Sequence, residues 1–241
     1  MSELGNRGKD SKDDELFGNP KMRSKLMEAV RDLSYLKSRN YADKSSLALV
    51  GNHYRLNVRQ QKAVLGMSAS DAYLDQIFSS QMTVEAIENQ IVAIDGFNQI
   101  ILWESILSNA YIFKGKDGCY RDLSSVHGTY RKVEQTRKAI ELLGTGLFDI
   151  KAKEVRWYLD RPVSNSGKLK QLILQIAEEN KYSWNVSVDF NPDQRLRETE
   201  AVVITSDAGI LTACRQWFNL TNYRVQNNRL AVPFLINAQD K

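Results

Sequence analysis

Histidine, cysteine and proline are scarce in this 241-residue chain, at two, two and four residues. His53 and His127 leave little room for a His-rich metal site. Cys119 and Cys214 lack metal-type spacing and read as ordinary reduced thiols of a cytoplasmic protein. No apolar run approaches the roughly 20 residues that a membrane-spanning helix needs. Residues 1–20 are polar and hold no apolar signal region, so secretion is not expected.

What remains is the composition of an ordinary soluble protein, 42% hydrophobic and 26% charged. The net charge of +4 is unevenly spread. Residues 1–20 hold three basic and five acidic side chains, a net of −2. Residues 21–66 hold ten basic and three acidic ones, a net of +7, and residues 67–90 carry four acidic and no basic ones. A concentrated basic segment suits a polyanion, although basic helix faces are often merely solvated.

Three regions are expected: a disordered tail over 1–20, a basic helical module over 21–88, and an α/β domain over 89–241. Gly5, Gly8, Gly18 and many charges mark the tail. In the module, Leu26, Val30, Leu33 and Leu36 recur at helical spacing. Asp43 and Asn57 are candidate caps of two further helices, and Asp71 to Phe78 is a candidate for another. Short helices joined by tight turns are compatible with a helix-turn-helix, in which Arg55, Arg59, Gln60 and Lys62 would meet phosphates or bases. The competing reading is a small bundle that docks on the main domain. Gln81 to Asn89 reads as a helical connector.

From Ile91 strands alternate with helices, which implies a mainly parallel sheet. Ile91 to Asp95 reads as a strand buried on both faces. Phe97 to Leu107 is apolar almost all round and predicts a buried helix. Ala110–Phe113 and Cys119–Arg121 flank a turn at 116–118. Strands are expected before Asp160, before Asp189 and over 201–204, and an edge strand over 230–236 around Pro233. Helical stripes run through Thr136, Ile140, Leu143 and Leu147, through Leu169 to Ile176, and through Ile210, Leu211, Cys214 and Phe218.

Ligands of open α/β sheets bind beyond the carboxyl ends of the strands. Three strand ends carry acids there: Asp95 with Asn98, Asp160, and Asp207 preceded by Thr205 and Ser206. Clustered carboxylates repel unless a cation neutralises them, and magnesium or manganese suits such hard oxygen donors. The alternative is that Asp160 and Asp207 only cap the helices that follow. Glu104, on the helix after Asp95, either completes the site or faces solvent, and solvent is the expectation.

Two loops add candidate substrate contacts. Arg161 to Lys168 is a Pro- and Gly-shaped loop at a helix start, where Ser164, Asn165, Ser166, Gly167 and Lys168 would grip a phosphate. It is not a Walker motif. Ser164 or Ser166 could equally serve as a cap. The polar stretch from Arg121 to Arg131 reads as a loop in which His127 would act as acid/base or steer a phosphate, with Arg131 as a cation. The alternative is that His127 is only a hydrogen-bonded surface residue.

Several stretches resemble an uncharacterised prokaryotic family, domain of unknown function 434, from about Met22 onward. They are Arg31–Leu36, Ile94–Asn98, Val126–Arg131, Asp160–Gly167 and Thr205–Asp207. The second half is also similar to the PIN and NYN nucleases. That likeness implies a three-layer, Rossmann-like domain whose strand-end aspartates bind magnesium or manganese and cut RNA. Asp95 with Asn98 and Thr205-Ser206-Asp207 follow its pattern, and Asp160 follows by strand position. Where those nucleases often carry further acids after the last strand, Ala208 and Gly209 stand here.

The expected function is a metal-dependent phosphodiesterase, ribonuclease-like, acting on RNA or single-stranded nucleic acid. Asp95, Asp160 and Asp207 would be its metal and catalytic residues, and Ser206 a substrate contact. The alternatives are a non-catalytic nucleic-acid or nucleotide-binding protein on the same fold, and a small-molecule phosphatase or phosphotransferase.

Overall fold

A computed structural model describes residues 7–124 and 130–240. The first half is helical: α1 (Asp13–Phe17), α2 (Pro20–Ser38), α3 (Asp43–His53), α4 (Val58–Met67), α5 (Asp71–Ser80) and α6 (Val84–Ile87). The second half alternates: β1 (Ile91–Asp95), α7 (Gly96–Leu107), β2 (Ile112–Lys114), β3 (Tyr120–Arg121), α8 (Thr136–Asp149) and β4 (Glu154–Asp160). It continues with α9 (Ser166–Asn180), β5 (Trp184–Asp189), α10 (Pro192–Glu198), β6 (Val202–Ile204), α11 (Ala208–Leu211), α12 (Leu220–Gln226) and β7 (Leu235–Asn237).

Local chemistry starts most helices. Asn19 and Asn57 accept backbone N–H groups of the first turns of α2 and α4, and Ser70 does so for α5. At α4 the Gln60 side chain also accepts from Asn57 N at 3.1 Å, a complete capping box. Asn57→Ala should lower stability by about 1 kcal/mol, read as a lower midpoint of urea unfolding; an unchanged midpoint would show that tertiary packing alone holds this helix end.

Four strands form a parallel sheet in the order β5-β4-β1-β6. Their alternating side chains split between two cores. Val92, Ile94, Val155, Trp157, Leu159, Val202 and Ile204 pack with α7, α8 and α9. Ala93 and Val203, on the opposite face, pack with Leu196 of α10, Ile210 of α11, Trp217 and Ile77. Helices thus cover both faces, and the mixed α/β class with a parallel sheet is as expected.

A second sheet, β3-β2-β7, pairs β2 with β3 antiparallel and with β7 parallel. Phe113 and Ile236 of this sheet share one core with Phe17, Leu26, Leu33 and Val64. The expected boundary at residue 88 therefore does not separate two cores: the helical half and the small sheet bury their apolar faces against each other. Residues 7–20 depart from the expectation of a disordered tail. Phe17 is fully buried, and Asp13, also fully buried, receives Arg59 Nε at 2.6 Å and Arg59 Nη2 at 2.8 Å.

Two further stretches differ from expectation. The stripe from Ile210 to Phe218 is helical only over α11, because Trp217 turns back to bridge Val203 and Gln81. The connector 81–89 is helical only over α6. None of the described helices is long and apolar enough to cross a membrane.

Candidate functional site

Within the parallel sheet the chain visits β1, then β4 and β5 on one side, then β6 on the other. The reversal lies between β1 and β6, and such a switch point opens a crevice beyond the carboxyl ends of the strands. Asp95 ends β1, and Thr205, Ser206 and Asp207 follow β6. These two segments are stitched together by hydrogen bonds. Thr205 Oγ1 donates to Asp95 Oδ2 at 2.7 Å and accepts from Asp207 N at 3.1 Å. Asn98 Oδ1 accepts from Ser206 N at 3.0 Å and Ser206 Oγ at 2.9 Å. Gly96 is required here by α7 packing on β4: a Cβ would lie 2.6 Å from Leu159 Cδ2 and 2.8 Å from Tyr158 O.

Pairing in register carries the acids onto one face. Asp95 lies opposite Tyr158, and Asp160 opposite Asp189. Counting the pleat from the buried residues, Asp95, Asp160, Asp189 and Thr205 all point to the face covered by α10. Burial pushes the Asp95 carboxyl up to about 7, helped by repulsion from Asp193 and Asp207 and opposed by the Thr205 hydroxyl. Burial also raises Asp160, again with repulsion from Asp193. Asp189 behaves oppositely, because Arg195 Nε at 3.0 Å holds its carboxyl below the usual range.

Asp193, in the first turn of α10, is thus the acid that acts on both strand ends, and it is not among the acids expected from the sequence. Its signal was present: Asn191 caps the helix and Pro192 occupies its first turn, a recognisable helix start. Among the described residues no three His, Cys, Asp or Glu side chains close on one point as a preformed metal cage. Asp207 also caps α11, its Oδ1 accepting from Ile210 N at 3.0 Å.

A cleft of about 770 Å³ opens beside this edge. Asn98, Ser206 and Asp207 form one wall, and Lys37, Lys62 and Tyr73 of the helical half face them. Asp95 and Asp160 do not line it, so the expected acids do not share this one cavity. Arg121 fixes its floor, reaching Ser206 O at 3.1 Å, Gly66 O at 3.0 Å and Asp117 Oδ2 at 2.6 Å.

The remaining expected contacts scatter. Ser166 is buried and structural, its hydroxyl donating to Asp160 O at 2.5 Å and to Val163 O. Asn165 takes a left-handed conformation and donates to Tyr130 O at 2.8 Å. Ser164, Gly167 and Lys168 stay exposed at the start of α9, as does Arg131. His127 lies outside the described residues. Of the expected nucleic-acid contacts, Arg59 is committed to Asp13, whereas Arg55 is exposed and Lys62 lines the cleft. Glu104 is fully buried rather than solvent-facing, because Tyr130, Thr136 and Arg7 all converge on it.

Residues 84–223, more than half of the chain, match the family described as Domain of unknown function (DUF5616). The chain belongs to the DUF5616 family. Residues 25–79 match a second description, Protein of unknown function (DUF434). The resemblance expected from Met22 onward is therefore divided: DUF434 covers residues 25–79 of the helical half, and DUF5616 covers residues 84–223 with the four-stranded sheet. An archaeal relative, "Uncharacterized protein MJ0935" of Methanocaldococcus jannaschii, is 32% identical over 186 residues, 77% of this chain and 88% of the relative. No solved structure matches the chain. Asp95, Asn98, Asp160, Asp193 and Asp207 all lie within the DUF5616 segment.

Proposed function

We propose that this DUF5616 chain is a metal-dependent phosphodiesterase acting on RNA or single-stranded nucleic acid, on a PIN/NYN-like domain. One observation carries the reading: the hydrogen-bonded junction of Asp95, Thr205 and Asp207 at the switch point, inside the field of Asp193. Repulsion from Asp193 and Asp207 on the Asp95 carboxylate would be relieved by a cation. Magnesium needs only one or two protein carboxylates, with water and substrate phosphate completing its shell. The described residues hold no preformed cage of three such side chains, so water and substrate phosphate would have to supply most of the ion's shell.

Asp95 and Asp207 would hold the magnesium or manganese ion, with Asp160 and Asp193 adding negative field. When bound, such an ion neutralises charge on the phosphodiester and lowers the pKa of an attacking water. Thr205 orients Asp95, and Asn98 and Ser206 fix the rim against which the substrate would lie. Across the cleft, Lys37, paired with Asp43 at 3.3 Å, and Lys62 would offer positive charge to the phosphate backbone against the lining Asp43, Asp117, Asp122 and Asp207.

A second reading, nucleic-acid or nucleotide binding without turnover, is favoured by the capping role of Asp207, which occupies one carboxylate oxygen. One assay separates the two. A mixed pool of RNA and single-stranded DNA, with a small phosphomonoester alongside, is incubated with magnesium, manganese or chelator. Cleavage of the oligonucleotides that needs the ion is expected. Cleavage that persists in chelator would overturn metal dependence, tight binding without cleavage would establish the second reading, and turnover of the monoester alone would indicate a phosphatase.

A further inference from the structure

Beyond the acids, the same sheet edge carries an aromatic residue that the fold does not use. β5 ends at Asp189 and β4 at Asp160, paired in register, so Phe190 and Arg161 each stand one residue past the edge. The Arg161 backbone N–H donates to Asp189 O at 2.7 Å, which fixes the two positions against each other. The Arg161 guanidinium lies over the Phe190 ring, 4.5 Å from its centroid. Phe190 is 69% exposed, although a phenyl ring in water forfeits the burial that normally explains its presence.

Arg161 has no carboxylate partner among the described residues, whereas its neighbours Arg195 and Arg197 pair with Asp189 and Asp193. A cation held against an exposed ring presents two things at once, a π-face and a positive charge. A nucleotide is recognised by that combination, through its base and its phosphate. A protein partner would be expected to meet a wider apolar patch, and a single ring beside a guanidinium is not one.

We propose that Phe190 and Arg161 form a stacking platform for one unpaired base of a single-stranded nucleic acid, whose backbone runs along the carboxylate edge. The proposal rests on the phosphodiesterase reading of that edge. It adds the substrate class: a strand with an accessible base rather than a closed duplex. Along the sheet the order is Phe190 beyond β5, Asp160 on β4, Asp95 on β1 and Asp207 beyond β6. Two strand spacings, about 10 Å, separate β5 from β1. The platform therefore grips the strand beside the candidate reacting phosphate and not at it. Lys37 and Lys62 flank the other end, across the cleft beyond β6. Duplex bases are already stacked on their neighbours and offer no free face to the ring.

The test measures fluorescence polarisation of a short labelled single-stranded RNA in calcium, a hard divalent ion that would neutralise the carboxylate edge, and a gel confirms that the probe stays intact. Phe190→Ala, Phe190→Tyr and Arg161→Ala are compared with the wild type, together with a probe carrying an abasic site at each position in turn. Losing one base–aromatic stack is expected to weaken binding on the order of 10-fold. Phe190→Tyr should keep the wild-type affinity, and duplex binding should not change. One abasic position should weaken the wild type but add nothing to Phe190→Ala. Because the ring is exposed, the unfolding midpoint of Phe190→Ala should match the wild type.

Equal affinity of Phe190→Ala and wild type would overturn the platform. So would an abasic penalty that is undiminished in Phe190→Ala, or a change of oligomeric state in that variant, which would make the ring a contact between copies. The two readings fail separately. Ion-dependent cleavage indifferent to Phe190 removes the platform alone. Base-dependent binding through Phe190 without cleavage removes the phosphodiesterase alone.

Discussion

Asp95→Asn should reduce ion-dependent cleavage to about a thousandth of wild type or less, the scale expected when a charge acting on the transition state is removed. The substitution is nearly isosteric. An asparagine oxygen can still accept the Thr205 hydroxyl that now sits 2.7 Å from Asp95 Oδ2, so the junction of β1 and β6 survives. What disappears is the negative charge that would attract the cation. The pH dependence follows from burial, which raises the Asp95 carboxyl to about 7. Its folded pKa exceeds its unfolded one, so the folded protein binds this proton more tightly. Wild-type stability then falls as pH rises from about 4 towards 7, and the ionised form needed for cation binding appears over the upper part of that window. Asp95→Asn lacks this proton and should melt a few degrees above wild type at pH 8, with the gap closing towards pH 4. Cleavage time courses and thermal melts of the two proteins at several pH values check both halves. Full cleavage by Asp95→Asn would remove Asp95 from the chemistry, and an unchanged melting difference across pH would deny its burial.

The strands that carry this site were legible because a parallel sheet writes itself into sequence. Val155, Trp157 and Leu159 alternate before Asp160, and Ile91 to Ile94 forms an uninterrupted apolar run before Asp95. Both patterns are set by neighbours one or two residues away. α10 spans only Pro192–Glu198, too short for a periodic stripe, so its cap Asn191 and first-turn Pro192 are its sole local signal, and Asp193 depends on them. The segment after Asp207 misled for the opposite reason. Its apolar spacing suits a helix, but Trp217 is claimed by Val203 and Gln81 from distant parts of the chain. No local pattern encodes that competition. The position of the cleft was equally hidden, because its walls come from residues as far apart as Lys37 and Asp207. Arg59 illustrates the limit: a basic helix face reads as solvated or as polyanion-binding until Asp13 is seen against it.

Arg7→Ala should cost about 3–5 kcal/mol, the usual penalty for leaving one member of a buried ion pair behind. Glu104, on α7, is fully buried and accepts from the Tyr130 hydroxyl at 2.5 Å and the Thr136 hydroxyl at 2.5 Å. Arg7 Nε supplies the countercharge at 2.5 Å, as a charge contact and not an aligned hydrogen bond. The same guanidinium lies 4.9 Å from the Tyr130 ring centroid and donates to Arg131 O at 2.5 Å. A polar N-terminal segment is thereby anchored to the helix that follows the candidate site. Burial raises the Glu104 pKa, and Arg7 together with the two hydroxyls opposes the rise. Without Arg7 the folded pKa climbs further above the unfolded value, so the variant's deficit grows as pH rises through that window and shrinks as Glu104 is protonated in acid. Glu104→Gln in the Arg7→Met background keeps an acceptor for Tyr130 and Thr136 while removing both charges, and should recover most of the loss. Urea unfolding of Arg7→Ala, Arg7→Met and the Arg7→Met/Glu104→Gln double variant between pH 5 and pH 8 measures this. A deficit of equal size at every pH, untouched by Glu104→Gln, would mean that Arg7 acts through its packing on Tyr130 and not through its charge.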